Sequence, residues 1–173
     1  MIFLLLSCIH TPPHDPVEGT ADVRLTERAF VDPGGNYCSW QSEDLWFGTT
    51  ALSVVEPPEA PNGCAPPGEY SHIVELAGQD GPYLSAVVQE WGCCPEQKSL
   101  RCVTWDVRTG QEISQEVYDE KNALRRQIRA QKLWERMGSP EGYTLDPKSF
   151  LVGGRHLTFC AIRGEDLLRI RVR

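Results

Sequence analysis

The stretch HLTFCAIRGEDLLRIRVR, residues 156–173, predicts a β-hairpin at the end of the chain. Its Gly164-Glu165-Asp166 segment has the residues that form turns. Beyond this turn, apolar and basic side chains alternate: Leu168, Ile170 and Val172 against Arg169, Arg171 and Arg173. Such an alternation indicates a strand with one buried face and one solvated face. We therefore expect an antiparallel sheet whose hairpins are joined by short turns.

Other segments are also predicted to be strands. Stretches rich in aromatic and β-branched residues predict strands over residues 45–55, 71–76, 83–91, 100–107 and 150–152. Residues 56–68 contain five prolines and two glycines, which predicts a surface loop.

One helix is predicted, over about residues 115–137, capped by Ser114 or Asp119 and ended by Gly138-Ser139-Pro140. Its helical spacing places five apolar residues on a common face: Val117, Leu124, Ile128, Trp134 and Met137. Strands on both sides of one main helix predict an α+β fold, in which this helix packs on an antiparallel sheet.

Charge is distributed unevenly along the 173 residues. Residues 1–114 contain 5 Lys/Arg and 16 Asp/Glu, whereas residues 115–173 contain 12 and 8. The net charge of −7 argues against a general nucleic-acid-binding protein. The excess of cations predicts a basic face for an anionic partner, such as phospholipid headgroups or an acidic protein, and the alternative is a solvated helix that balances the acidic half. The residues of this face are Arg125, Arg126, Arg129, Lys132 and Arg136.

A short apolar segment at the N-terminus ends at Cys8, which follows Leu5-Leu6-Ser7. This motif resembles the lipobox of bacterial lipoproteins, and the resemblance implies that Cys8 carries the lipid and becomes the mature N-terminus. Residues 1–7 are then a signal segment, residues 8–20 a lipid anchor with a proline-rich tether, and residues 21–173 a single α+β domain. The resemblance implies an extracytoplasmic protein of the cell envelope, and Ile9 favours the periplasmic side of an outer membrane. The alternative is a buried N-terminal strand with an incidental cysteine.

Six cysteines remain once Cys8 is assigned to lipidation: Cys38, Cys64, Cys93, Cys94, Cys102 and Cys160. In an exported protein an even number predicts disulfide bonds, here up to three. Cys38 and Cys64 flank a proline-rich segment that they could close. Cys93 or Cys94 could reach Cys102 across a hairpin, which would leave the other for Cys160. The alternative is a thiol-active or metal-binding site made of Cys93, Cys94 and Cys102, although their spacing is not typical of zinc ligands.

The second half of the chain resembles a known family. The signals run from the strand over residues 83–91 to a second strand that ends in Trp105-Asp106-Val107-Arg108-Thr109-Gly110, followed by the helix and the closing hairpin. This order is similar to the C-terminal domain of RsiV-like envelope proteins. The resemblance implies an extracytoplasmic α+β module that binds a protein or the cell wall.

No common catalytic motif is present in the sequence, and no cofactor or metal is predicted. Glu43 and Asp44 are adjacent carboxylates of the kind that glycosidases use, so a cell-wall hydrolase is a weaker alternative. Trp40, Trp46 and Trp91 are candidates for a sugar-binding surface or for the core. The sequence favours a lipid-anchored, non-catalytic binding or structural module that contacts the membrane through its lipid and an envelope protein or cell-wall component through its domain.

Overall fold

The computed structural model describes residues 17–31, 34–35, 37–55, 69–91, 98–153 and 156–173. The elements, in chain order, are β1 (Ala21–Val31), β2 (Tyr37–Phe47), β3 (Thr50–Ser53), β4 (Glu69–Asp80), β5 (Tyr83–Trp91), β6 (Lys98–Asp106), β7 (Gln111–Glu112), α1 (Gln115–Tyr118), α2 (Ala123–Arg136), β8 (Thr144–Gly153), β9 (His156–Arg163) and β10 (Asp166–Val172). The predicted final hairpin corresponds to β9 and β10, which pair antiparallel with Asp166 opposite Arg163.

The strands form two sheets. The first sheet has the order β1-β2-β4-β5-β6-β7, with β3 also paired to β2, and the second sheet has the order β10-β9-β8. Of the strand pairs within the described residues, β2–β4 alone is parallel, over Ser39–Ser42 and Glu69–His72. Strand β2 therefore changes neighbour along its length, from β4 to β3, and the first sheet branches at that point.

The first sheet is curled, because the β6–β7 turn at one end approaches β3, which branches from β2. A Cβ added at Gly110, in the β6–β7 turn, would lie 2.8 Å from the carbonyl oxygen of Ala51 in β3. Gly110 has a φ of 73°, a conformation that glycine adopts readily. Inside the curl, Leu45 and Phe47 of β2 pack in one apolar cluster with residues of β4, β5 and β6, including Trp105.

The second sheet lies between the first sheet and α2. Its apolar face, which includes Phe159 and Ile170, packs against Ala130 and Trp134 of the helix. Its other face meets the first sheet at a cluster of Val87, Leu151 and the disulfide Cys102–Cys160.

Side chains of the first sheet also bind the backbone of β8. Ser85 Oγ accepts a hydrogen bond of 2.8 Å from the Val152 amide, and Thr104 Oγ1 donates one of 2.8 Å to the Phe150 carbonyl. All four groups are buried, so these bonds satisfy polar atoms that would otherwise be costly to bury.

The predicted α+β fold with one main helix over residues 115–137 is wrong. Strands account for 61% of the structure and helices for 14%. The predicted helix is interrupted between Tyr118 and Ala123, where Asp119 takes a non-helical backbone conformation with φ −150° and ψ 71°. The Asn122 side chain donates a hydrogen bond of 3.1 Å to the Asp119 carboxylate and stabilises this break. In addition, β1 and the first half of β2 form a long hairpin over residues for which no strand was predicted.

The predicted buried face of the helix is wrong as well. Trp134 is buried, but Leu124 and Ile128 are exposed to 69% and 46%, and Val117 and Met137 are also exposed. The helix instead buries Ala123 and Ala130 beside Trp134. Small side chains allow the helix backbone to approach the second sheet closely, which a count of large apolar residues does not anticipate.

Candidate binding face

Helix α2 presents a row of cations directed away from the core. We define the basic face as Arg125, Arg129, Lys132 and Arg136, which are all exposed. Their spacing of four, three and four residues places them on one side of a helix of 3.6 residues per turn. This side is opposite Ala130, which is completely buried. At a rise of about 1.5 Å per residue, the row spans roughly 16 Å.

Among the described residues, few groups neutralise the positive charge of the basic face. Arg129 Nη1 donates a hydrogen bond of 2.7 Å to the Arg173 carbonyl and so connects the helix to the end of β10. Arg125, Lys132 and Arg136 have no carboxylate partner in the part of the chain that the structure describes. The exposed residues Leu124 and Ile128 flank the row, so the face combines unpaired cations with apolar side chains.

Arg126 does not belong to the basic face, contrary to the sequence-based expectation. Its side chain is only 13% exposed, and its Nη1 lies 3.0 Å from Asp119 Oδ2 in an ion pair. This pair connects the start of α2 to the break that follows α1. Position in the helix distinguishes Arg126, because its side chain lies beside Asp119 and not in solvent.

Among the side chains that the structure describes, one cysteine pairing is present. Cys102 of β6 is bonded to Cys160 of β9, so the predicted partnership of Cys102 with Cys93 or Cys94 is wrong. In this bonded state Cys102 is not a free thiolate for a thiol-active or metal-binding site. Cys38 lies in β2, whereas Cys8, Cys64, Cys93 and Cys94 lie outside the described residues.

The carboxylates proposed for a hydrolase have structural partners. Glu43 Oε2 accepts a hydrogen bond of 2.9 Å from the Val74 amide. Asp44 is buried and accepts bonds from Ser42 and Thr26 at 2.7 and 3.2 Å. Neither group is presented to a substrate as an isolated acid.

A buried polar network that the sequence did not reveal surrounds Asp44. Ser42 Oγ donates to Asp44, His72 Nδ1 lies 3.4 Å from Ser42 Oγ, and Ser53 Oγ lies 3.2 Å from His72 Nε2. Because a carboxylate only accepts, the chain of bonds is consistent with a proton on Nδ1 and a bond from Ser53 to Nε2. Burial lowers the pKa of His72, which favours the neutral imidazole.

This network joins strands and does not form an open site. His72 is 1% exposed, and the Asp44 carboxylate binds Ser42 rather than the imidazole. Its members come from β1, β2, β3 and β4, which meet where β2 changes neighbour. The network therefore stabilises the branch point of the first sheet.

The tryptophans are distributed between core and surface. Trp40 is buried, and the Arg24 guanidinium lies 4.7 Å from the centre of the Trp46 ring. Trp91 ends β5. The described part of the chain thus contains no row of exposed aromatic rings that includes Trp40.

No group of three or more potential metal ligands occurs among the described residues. Within that same part of the chain, every helix is too short or too polar to cross a membrane. Comparison with protein-family models finds no match, and comparison with curated proteins also finds none. The arrangement that favours binding most directly is therefore the basic face of α2.

Proposed function

We propose that this chain is a lipid-anchored, disulfide-bonded module of the cell envelope that does no chemistry and binds an anionic phospholipid surface through the basic face. The observation that supports this function is a row of four exposed cations, of which Arg125, Lys132 and Arg136 have no carboxylate partner among the described residues. The disulfide between the two sheets is consistent with an oxidising compartment.

The strength of this contact can be estimated. Each Lys or Arg near an anionic membrane contributes about 1 kcal/mol, so four contribute roughly 4 kcal/mol. A free energy of that size corresponds to a dissociation constant of about 1 mM, which is too weak for stable attachment alone. A lipid on Cys8 would keep the domain at the surface and raise its effective concentration there.

The tether is long enough for this role. Thr20 follows Cys8 by twelve positions, which span roughly 40 Å when fully extended. A tether of this reach would let the anchored domain turn relative to the bilayer. Leu124 and Ile128 would add apolar contacts at the headgroup boundary.

The experiment is an equilibrium vesicle titration, with lipid raised to several millimolar, on the full chain with Cys8→Ser, which removes the lipid site. Vesicles of phosphatidylcholine alone are compared with vesicles that also contain phosphatidylglycerol. We expect binding only to the anionic vesicles, and roughly 30-fold weaker binding for Lys132→Gln/Arg136→Gln, from about 1 kcal/mol per cation.

The matched control is Arg101→Gln/Lys148→Gln, which removes two exposed cations of β6 and β8. It should leave binding nearly unchanged. Equal binding to both kinds of vesicle, or equal losses in both double variants, would contradict the proposal. Absence of any vesicle binding would instead favour an acidic envelope protein as the partner of this face.

The anchor requires a separate measurement. Mass spectrometry of the protein extracted from membranes should give a mature N-terminus at Cys8 with the added mass of acyl chains. An intact Met1 without added mass would contradict the lipid anchor.

A further inference from the structure

Strand β1 is an edge of the first sheet. It is 11 residues long, and in the described part of the chain β2 is its one neighbouring strand. Alternate backbone N–H and C=O groups of such a strand point outward without a sheet partner, which makes it a template for another strand. Its residues are exposed or half-buried throughout the positions whose side chains are described.

Apolar side chains collect on one face of the β1–β2 hairpin. Val23, Leu25 and Val31 are 38%, 56% and 62% exposed, and Tyr37, opposite Val31, is 59% exposed. Residues two apart share a face of a strand, so these side chains lie on one side. Four of the ten exposed large apolar side chains of the described residues belong to this hairpin. Exposed apolar surface of this kind is typical of a contact site.

The charges of β1 indicate which strand fits the edge. A two-fold symmetric antiparallel pair places one residue opposite its own copy. With Leu25 at that centre, Asp22 of each copy lies opposite Arg28 of the other. Centring the pair on Arg24 places Arg24 opposite its own copy. Centring it on Thr26 places Arg24 opposite Arg28. Like charges directly opposite are destabilising. A centre at Val23 would pair Asp22 with Arg24, but β1 begins at Ala21, so only residues 21–25 would then overlap, against residues 21–29 for a centre at Leu25. The register centred on Leu25 is therefore favoured.

We propose that two copies of this chain associate through β1, antiparallel and centred on Leu25, to form one continuous sheet. The Leu25 side chains meet at the two-fold axis on one face of the sheet, and two Asp22–Arg28 pairs form on the opposite face. Asp22 already accepts a hydrogen bond of 2.8 Å from Arg24, and its carboxylate has the capacity for a second guanidinium. This association is independent of the basic face, which lies on α2.

A charge-swap experiment tests the register. Sedimentation equilibrium of the full chain should show a concentration-dependent dimer. Asp22→Arg alone and Arg28→Asp alone should each weaken association at least 10-fold, because each places like charges opposite one another. The double variant, which exchanges the charges, should restore association to within a few-fold of the wild type.

Two outcomes would overturn the proposal: a wild-type chain that is monomeric at every concentration, or a double variant that remains as weak as the single variants. Circular dichroism of each variant controls for folding. The Asp22–Arg24 bond that Asp22→Arg removes is exposed, and such pairs contribute little to stability.

A cysteine cross-link provides a second test, in the Cys8→Ser chain. Leu25→Cys would place two thiols at the axis, where the Cα atoms of opposed residues are about 4.5–5.5 Å apart, within the range of a disulfide. Glu27→Cys, on the same face, would place its thiols about 14 Å apart along the strands. We expect a reducible dimer for Leu25→Cys beyond the background of the parent chain, and none for Glu27→Cys. Equal cross-linking of the two variants would refute the register.

Discussion

The Cys102–Cys160 disulfide should be a major source of stability, and its removal is the sharpest test of the fold. It joins β6 of the first sheet to β9 of the second, across 58 residues of sequence. Both cysteines are buried beside Val87 and Leu151. The perturbation is the double substitution Cys102→Ala/Cys160→Ala, which leaves no unpaired thiol at the site.

The magnitude follows from the length of chain that the bond closes. For a loop of this size the entropy that a cross-link removes from the unfolded chain amounts to about 4 kcal/mol at room temperature. The matched control is Val87→Ala, which removes two carbons from the same cluster without changing any cross-link. Its expected cost is about 2 kcal/mol.

Urea denaturation measures both variants. The double cysteine variant should lose about 4 kcal/mol or more of unfolding free energy. Its m-value should also rise, because an unfolded chain without the cross-link exposes more surface. A loss no greater than that of Val87→Ala, with an unchanged m-value, would refute the view that this bond holds the two sheets together.

Three further substitutions test the buried polar groups and the sheet contact. Burial lowers the pKa of His72 below its ordinary value of 6.5. Its contribution to stability is therefore fully present above about pH 6.5 and is lost as the pH falls toward the folded-state pKa. His72→Gln should reduce this loss of unfolding free energy at acidic pH, measured by urea denaturation. Arg126→Gln should cost about 3–5 kcal/mol in denaturation, because it leaves the Asp119 carboxylate buried without its ion pair. Gly78→Ala should cost about 1–3 kcal/mol in thermal or urea unfolding, because the new Cβ would lie 2.4 Å from the Val152 carbonyl oxygen.

Each of these predictions has a control in the same chain. His156→Gln, which changes a half-buried histidine outside this network, is the matched histidine substitution. Asp119→Asn combined with Arg126→Gln removes the unpaired buried charge and should recover part of the unfolding free energy that Arg126→Gln loses. Gly153→Ala adds a Cβ that meets no atom within 4 Å and should be nearly neutral. If Gly153→Ala costs as much as Gly78→Ala, the close approach of β4 to β8 is not the cause.

The positions of several strands, and the end of α2, were predictable because the sequence patterns that indicate them are local. Alternation of apolar and basic residues locates β10, and the stretch from Tyr83 to Trp91 coincides with β5. The end of α2 follows from Gly138, whose φ of 82° closes the helix. Each of these features depends on neighbours a few residues away, which a single sequence displays.

The β1–β2 hairpin and the interruption of the helix were not predicted from such signals. In β1, Ala21, Val23 and Leu25 alternate with Asp22, Arg24 and Thr26, but neither face of the strand is buried, and the prediction missed this signal. The break after Tyr118 depends on Asp119, whose partner Arg126 is seven residues away, and on a Tyr118 hydroxyl that donates to Asp80 of β4. Tertiary partners, rather than propensity, decide these places.

By itself the sequence determined the cation spacing on α2, the turn of the last hairpin and which cysteines are available for disulfide bonds. Tertiary structure alone decided that Arg126 faces inward, that Cys102 pairs with Cys160, and that a histidine network lies at the branch of the first sheet. The physical reason is distance along the chain: these contacts join residues from 7 to 58 positions apart, and only the packing of sheets and helix brings them together.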